Sequence, residues 1–196
     1  MKNLFARPSA GSDPLSSRTS IPRLLSLKLG DTRQFRVRYL LAKLTQHVDL
    51  LAYGRSQGRD DLQEYVAGGN DIEHILPDNG DMEAIAEFGD GGDDQAIIQR
   101  LGNLLLIEKS INRAIQNGRY SSKITVYPQS KYLLTRCQAS NQSGQVGVAD
   151  KITTAAKTLE VFPHWNADAV RKRQEFLAKL AATVWDVEPK GGPASV

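Results

Sequence analysis

The chain has 196 residues, enough for one ordinary domain with tails, and its 40% apolar and 24% charged residues are those of a soluble globular protein. A single cysteine, Cys137, excludes an internal disulfide framework and fits a reducing compartment, here the cytoplasm, and no run approaches the roughly 18 apolar residues of a membrane span. The net charge of +3 averages two unlike parts: residues 71–94 hold nine acids and no Lys or Arg, which leaves 25 bases against 13 acids elsewhere, a balance suited to a polyanion-binding body with a separate acidic patch.

Residues 1–30 are basic and serine-rich, with Asp13 their only acid. Breaks at Pro8 and Pro14 argue against a secretory signal, so residues 1–32 read as a flexible lead-in. From Thr32 to Tyr53 apolar residues recur at three- and four-residue spacings (Phe35, Tyr39, Leu40, Leu44, Val48, Leu51), which predicts an amphipathic helix ended by Gly54. "LQEYV" is a short ambiguous element, and Gly68-Gly69-Asn70 is a turn. "IEHIL" alternates as a short strand does, with Ile72, His74 and Leu76 on one side and Glu73 and Ile75 on the other.

Asp78 to Asp94 reads as an acidic loop with one helical turn in "MEAIAEF", followed by a short helix in "QAIIQRL". "NLLLIE" is a compact apolar strand after Gly102. "SINRAIQNGRYSSKITVY" is helical with an interruption at Asn117-Gly118, and Ser110 as its cap would place Asn112 in the first turn. Residues 138–150 form a polar loop, Asn166 caps a final helix to Trp185, and residues 188–196 are a disordered tail. The expected fold is α+β and mainly helical, one domain over residues 33–187, with two short strands and a helix as its centre.

That centre holds an acid–histidine pair, Glu73-His74. Single-metal phosphodiester hydrolysis needs a base for the attacking water and a divalent cation for the phosphate and leaving oxygen. Neighbouring strand residues point to opposite faces, so Glu73 and His74 can divide those duties. A hard cation such as Mg²⁺ takes few protein oxygens and keeps most of its waters, and Glu73 with the amide oxygen of Asn112 is a minimal set.

"IEHILP", then "LGNLLLIEKSIN", then "GRYSSK" with a tyrosine and serine after it, resembles the C-terminal nuclease domain of GmrSD-type modification-dependent restriction enzymes, a family similar to the HNH, or ββα-metal, nucleases. "RVRYLLAKL" and "WNADAVRKRQEFLAKLAATVW" extend the resemblance over roughly Phe35 to Trp185. The resemblance implies a ββα-metal hairpin and helix embedded in a helical domain. It makes His74 the general base, Glu73 and Asn112 the metal ligands, and Asn103 the central asparagine that braces the hairpin. Lys123 would contact phosphate or stabilise developing charge, and Arg119 and Tyr120 would contact the nucleic-acid backbone. The implied cofactor is a divalent metal, Mg²⁺ with Mn²⁺ as the alternative. The implied partner is DNA, in restriction or phage defence, with cleavage leaving a 5′-phosphate. His47 and His164 match nothing and read as structural, and Cys137 as a core residue.

In that family a large nucleotide-binding sensor domain usually precedes this one, and it would not fit into the 34 residues before Phe35. A separate sensor subunit is therefore a second expected partner. Two rival readings use the same residues: a non-catalytic module that binds nucleic acid through its basic helices, and a subunit of a split restriction complex active only with its partner.

Overall fold

The computed structural model describes residues 24–55, 59–140 and 150–185. Residues 1–23, 56–58, 141–149 and 186–196 lie outside the described residues, and with them most of the loop expected over 138–150 and all of the tail expected over 188–196. The stretch from Gln34 to Tyr53 contains neither Gly nor Pro and forms α1 (Gln34–Tyr53), which stops where Gly54 turns to φ 70° and donates its amide to Leu50 O. Its buried stripe is Val37, Leu40, Leu41, Leu44 and Val48. The sequence reading put Phe35, Tyr39 and Leu51 on that face, but they are 59%, 42% and 53% exposed. The 3.6-residue repeat through Val37, Leu41, Leu44 and Val48 leaves Phe35 and Tyr39 on the far side.

"LQEYV" gives a single turn, α2 (Gln63–Val66), and the chain then enters β1 (Asn70–His74). The acidic stretch is more ordered than the expected loop. Asp81 accepts from Ala84 N and Gly89 closes the other end at φ 82°, which together frame two turns, α3 (Met82–Phe88). Asp94 likewise accepts from Ala96 N at the start of α4 (Gln95–Ile98). A 3₁₀ turn over Leu101–Asn103 leads into β2 (Leu104–Glu108). Asn70 pairs with Glu108 and His74 with Leu104, so the two strands form an antiparallel sheet.

The helix after β2, α5 (Lys109–Ile115), starts directly from the strand, with Glu108 and not Ser110 at the cap position. It ends where Gln116 adopts φ 45°, one residue before the expected Asn117-Gly118 break. Then follow α6 (Tyr120–Lys123), α7 (Leu133–Arg136), α8 (Asp150–Lys157) and α9 (Ala167–Val184). Nothing in the sequence reading anticipated α8. Asn166 caps α9 as expected, accepting from Ala169 N at 2.9 Å. Two strands and a following helix therefore lie within a mainly helical α+β domain. Among the described residues no helix is long and apolar enough to cross a membrane.

The first four residues of β2, Leu104 to Ile107, are all apolar because both faces of the strand are covered there. Leu104 and Leu106 pack with α1, Tyr132 and Leu177, while Leu105 and Ile107 pack with Ile75, Ile115, Tyr127 and Trp165. The sheet is a partition between two cores, and the end of β1 emerges at its edge. Residues 24–31, expected in the lead-in, are docked: Leu29 N donates to Gln99 O, Leu101 N to Leu27 O, and Leu24 is 5% exposed. Cys137 is buried in the first core, and burial pushes its thiol up to about 11.

Candidate active site

His74 is the last residue of β1 and Glu73 the one before it, so their side chains leave the strand on opposite faces. Glu73 lies across from Leu105 on the face it shares with Asp71, and His74 lies across from Leu104. Glu73 is only 7% exposed, a burial that would leave an unpaired carboxylate poorly solvated. Lys123, at the end of α6 and 1% exposed, supplies the partner. Its Nζ donates to Glu73 Oε1 and to the carbonyl oxygens of His74 (2.8 Å) and Ile75 (3.3 Å), clamping the strand end from one side. Burial pushes the Glu73 carboxyl up and the Lys123 ammonium down, and each is pulled back by the other's charge.

The His74 ring faces a different setting. Its Nε2 is buried without a hydrogen-bond partner. Burial lowers the imidazole pKa below its ordinary 6.5, against the opposing pull of the Asp78 carboxylate and the Gln99 side chain. Gln99 Nε2 donates in turn to Asp78 Oδ1 at 2.8 Å. Burial thus favours the neutral ring, the form able to accept a proton.

Asn103 is fully buried and every polar atom of its side chain is used. Nδ2 donates to Leu76 O (2.9 Å) and Ile98 O (2.8 Å), and Oδ1 accepts from Leu76 N (2.8 Å) and the Trp165 indole (3.0 Å). Its main-chain oxygen accepts from Ile75 N at 2.9 Å. These bonds fix the two residues after His74. Arg173 on α9 holds the neighbours of Asn103, donating Nη1 to Gly102 O (2.8 Å) and Leu104 O (2.7 Å). Gly102 sits so close to α9 that an added Cβ would lie 2.1 Å from Val170 O, so only glycine fits there.

The remaining sequence-derived candidates are scattered. Asn112, on α5, donates Nδ2 to Asp71 Oδ2 at 3.3 Å and makes no hydrogen bond to Glu73. Tyr120 is 6% exposed, donates its hydroxyl to Phe162 O, and stacks at 5.5 Å from Trp165, with burial pushing its phenol up to about 12. Of the three residues assigned to nucleic-acid contact, Arg119 alone is on the surface, in an exposed 3.3 Å pair with Glu83 of α3. Lys123 presents no ammonium at the surface, because Glu73 and two carbonyls enclose it. His47 is half-buried on α1 and His164 is exposed.

Four residues near the site had no assignment from sequence. Asp71 was visible as a second carboxylate two residues from Glu73 in a strand. Trp165, Arg173 and Gln99 reach the site from positions with no local signal, Trp165 across 62 residues of chain. Among the described residues no group of three or more His, Cys, Asp or Glu side chains could hold a metal ion. The oxygen-bearing side chains on this face are Asp71, whose Oδ2 accepts from Asn112 Nδ2, and Glu73, which feels the Asp71 charge and is bonded to Lys123. This set is poor for zinc and compatible with a hard ion that keeps most of its waters.

No curated protein and no solved structure matches this chain. One family model does, over residues 21–180, and by that match the chain belongs to the family of GmrSD restriction endonuclease C-terminal domains.

Proposed function

We propose that this nuclease-family domain is a metal-dependent endonuclease that hydrolyses DNA phosphodiester bonds, acting in cytoplasmic restriction or phage defence. The observation that carries the reading is His74: an imidazole with an unpartnered, buried Nε2, its neutral form favoured by burial, beside a buried carboxylate in a chain of a restriction-endonuclease family. Glu73 and Asn112 would hold the cation, Mg²⁺ or Mn²⁺. Bound there, it supplies Lewis-acid stabilisation of charge on the phosphate and leaving oxygen.

In this reading His74 takes the proton from a water whose oxygen attacks phosphorus. The bond from phosphorus to the 3′ oxygen breaks, and the product carries a 5′-phosphate. Asn103 keeps the ring's backbone in place through Ile75 and Leu76, and Lys123 sets the Glu73 carboxylate and the His74 carbonyl relative to each other. Arg119 is the surface cation available for a backbone phosphate once Glu83 gives way. A plasmid-cleavage assay with Mg²⁺, Mn²⁺ or EDTA, on wild type and His74→Ala, tests this. Loss of cutting with both EDTA and the substitution is the expected result, and EDTA-resistant cutting would sink it.

One observation favours a second reading, a subunit active only with a partner such as a separate nucleotide-binding sensor. The Lys123 ammonium occupies the carboxylate assigned to the cation, so cation binding there requires a rearrangement that a partner would drive. Plasmid binding without cutting by the isolated chain, and cutting once the partner is added, is its signature.

A further inference from the structure

Asn112 has its side-chain nitrogen on Asp71: Nδ2 donates to Asp71 Oδ2 at 3.3 Å. Asp71 stands two residues before Glu73 on the same face of β1, across from Ile107, and its charge reaches the Glu73 carboxyl. α5 leaves β2 without a loop and packs back on β1, which brings Asn112 over that face.

An asparagine amide has a donor end and an acceptor end, and only the oxygen can ligate a cation. An ionised carboxylate only accepts hydrogen bonds, so Asp71 selects the nitrogen end of Asn112, and the opposite flip would set oxygen against oxygen. The amide oxygen is thereby turned away from Asp71. We infer that Asp71 is a positioning residue that fixes the Asn112 amide in the orientation able to bind a divalent cation. The inference rests on the metal-dependent reading above and assigns Asp71 a role through Asn112 and none as a direct ligand.

Calorimetric titration of the full chain with Mn²⁺, alongside melting temperatures, tests it. Asp71→Ala should weaken Mn²⁺ binding about tenfold, the scale of lost support around a metal ligand. Asp71→Asn, whose amide oxygen still accepts from Asn112, should recover most of that loss. In an Asn112→Ala background, Asp71→Ala should weaken binding no further. Unchanged Mn²⁺ affinity in Asp71→Ala overturns the inference, even if the melting temperature falls, because the contact is then only structural. Equal loss in Asp71→Asn and Asp71→Ala overturns it too, since charge would then matter and not the hydrogen bond. So do additive losses in the double variant. A wild-type chain that binds no Mn²⁺ overturns the metal-dependent reading itself, and this inference with it.

Discussion

Among the described residues two ion pairs are built on a buried carboxylate, and they differ in how completely that carboxylate is closed off. Asp49 on α1, fully buried, receives Arg59 Nη1 (2.7 Å) and the Tyr65 hydroxyl (3.0 Å) on one oxygen and Leu133 N (2.9 Å) on the other. Arg59 also stacks over the Tyr53 ring at 4.0 Å. Donors from three parts of the chain converge there, and no chemistry is left for the carboxylate but to join α1, α2 and α7. Glu73 has a single side-chain donor, Lys123, whose other bonds go to main-chain oxygens at the end of β1. The unpartnered Nε2 of His74 lies next door. A buried carboxylate surrounded by donors from distant parts of the chain is structural; one with a single side-chain donor, beside a histidine whose Nε2 has no partner, is a candidate for chemistry.

That contrast can be tested from its largest expected effect down. His74→Ala should lower cleavage at least about 100-fold, the usual scale for a lost general base, with the denaturation midpoint little changed. A variant cutting within tenfold of wild type would remove His74 from the chemistry. Asp49→Ala should cost about 3 kcal/mol of stability by leaving the part-buried Arg59 charge, the Tyr65 hydroxyl and Leu133 N without their acceptor, while cleavage per folded molecule stays near wild type; urea titration and a specific-activity assay separate the two. Lys123→Met should destabilise on the same scale through Glu73. Adding Glu73→Gln should then recover much of the stability and none of the metal-dependent activity. Recovery of both would make the Glu73–Lys123 pair as structural as Asp49–Arg59.

Trp165→Phe removes one hydrogen bond to Asn103 and should cost about 1 kcal/mol, measured by the same titration. The smallest effect is the pH dependence of the Asp49 pair. Burial outweighs Arg59 and raises the Asp49 pKa above its ordinary 3.8. The folded state therefore binds its proton more readily than the unfolded state, and Asp49's contribution grows as pH falls through its folded pKa toward 3.8. Asp49→Asn should lose stability more steeply than wild type over that window. Parallel slopes would mean the two states titrate Asp49 alike.

Much of this was legible in the sequence. The period of α1, the Asn166 cap and the alternation of "IEHIL" all rest on local spacing, and local spacing survives folding. Helix α8 follows directly on a polar stretch, and its short amphipathic repeat went unread there. Asp81 and Asp94 belong to an acidic run, and seeing them as caps required knowing where α3 and α4 begin. At the site, Glu73, His74 and Asn103 were visible as a motif. The pairing of Glu73 with Lys123 across 50 residues was not, because it depends on α6 turning inward. Tyr120 and Lys123 were given to nucleic acid by their matched positions in the family resemblance, yet burial decides what a side chain meets, and both are buried. Arg119, next in sequence to Tyr120, stays at the surface.

The clamp of α9 on the loop around Asn103 has a consequence for the order of assembly. Trp165, Arg173 and Gln174 reach Gly102, Asn103 and Leu104 across 62 to 72 residues of chain. Such distant contacts close late, because the entropy of the intervening loop opposes them until both partners exist. During synthesis the strand carrying Glu73 and His74 leaves the ribosome long before α9 does. A nascent chain therefore holds the His74 strand without the brace that orders it. The bracing of the site is completed only when the closing helix arrives, so a chain cut short before α9 would carry the motif without the geometry.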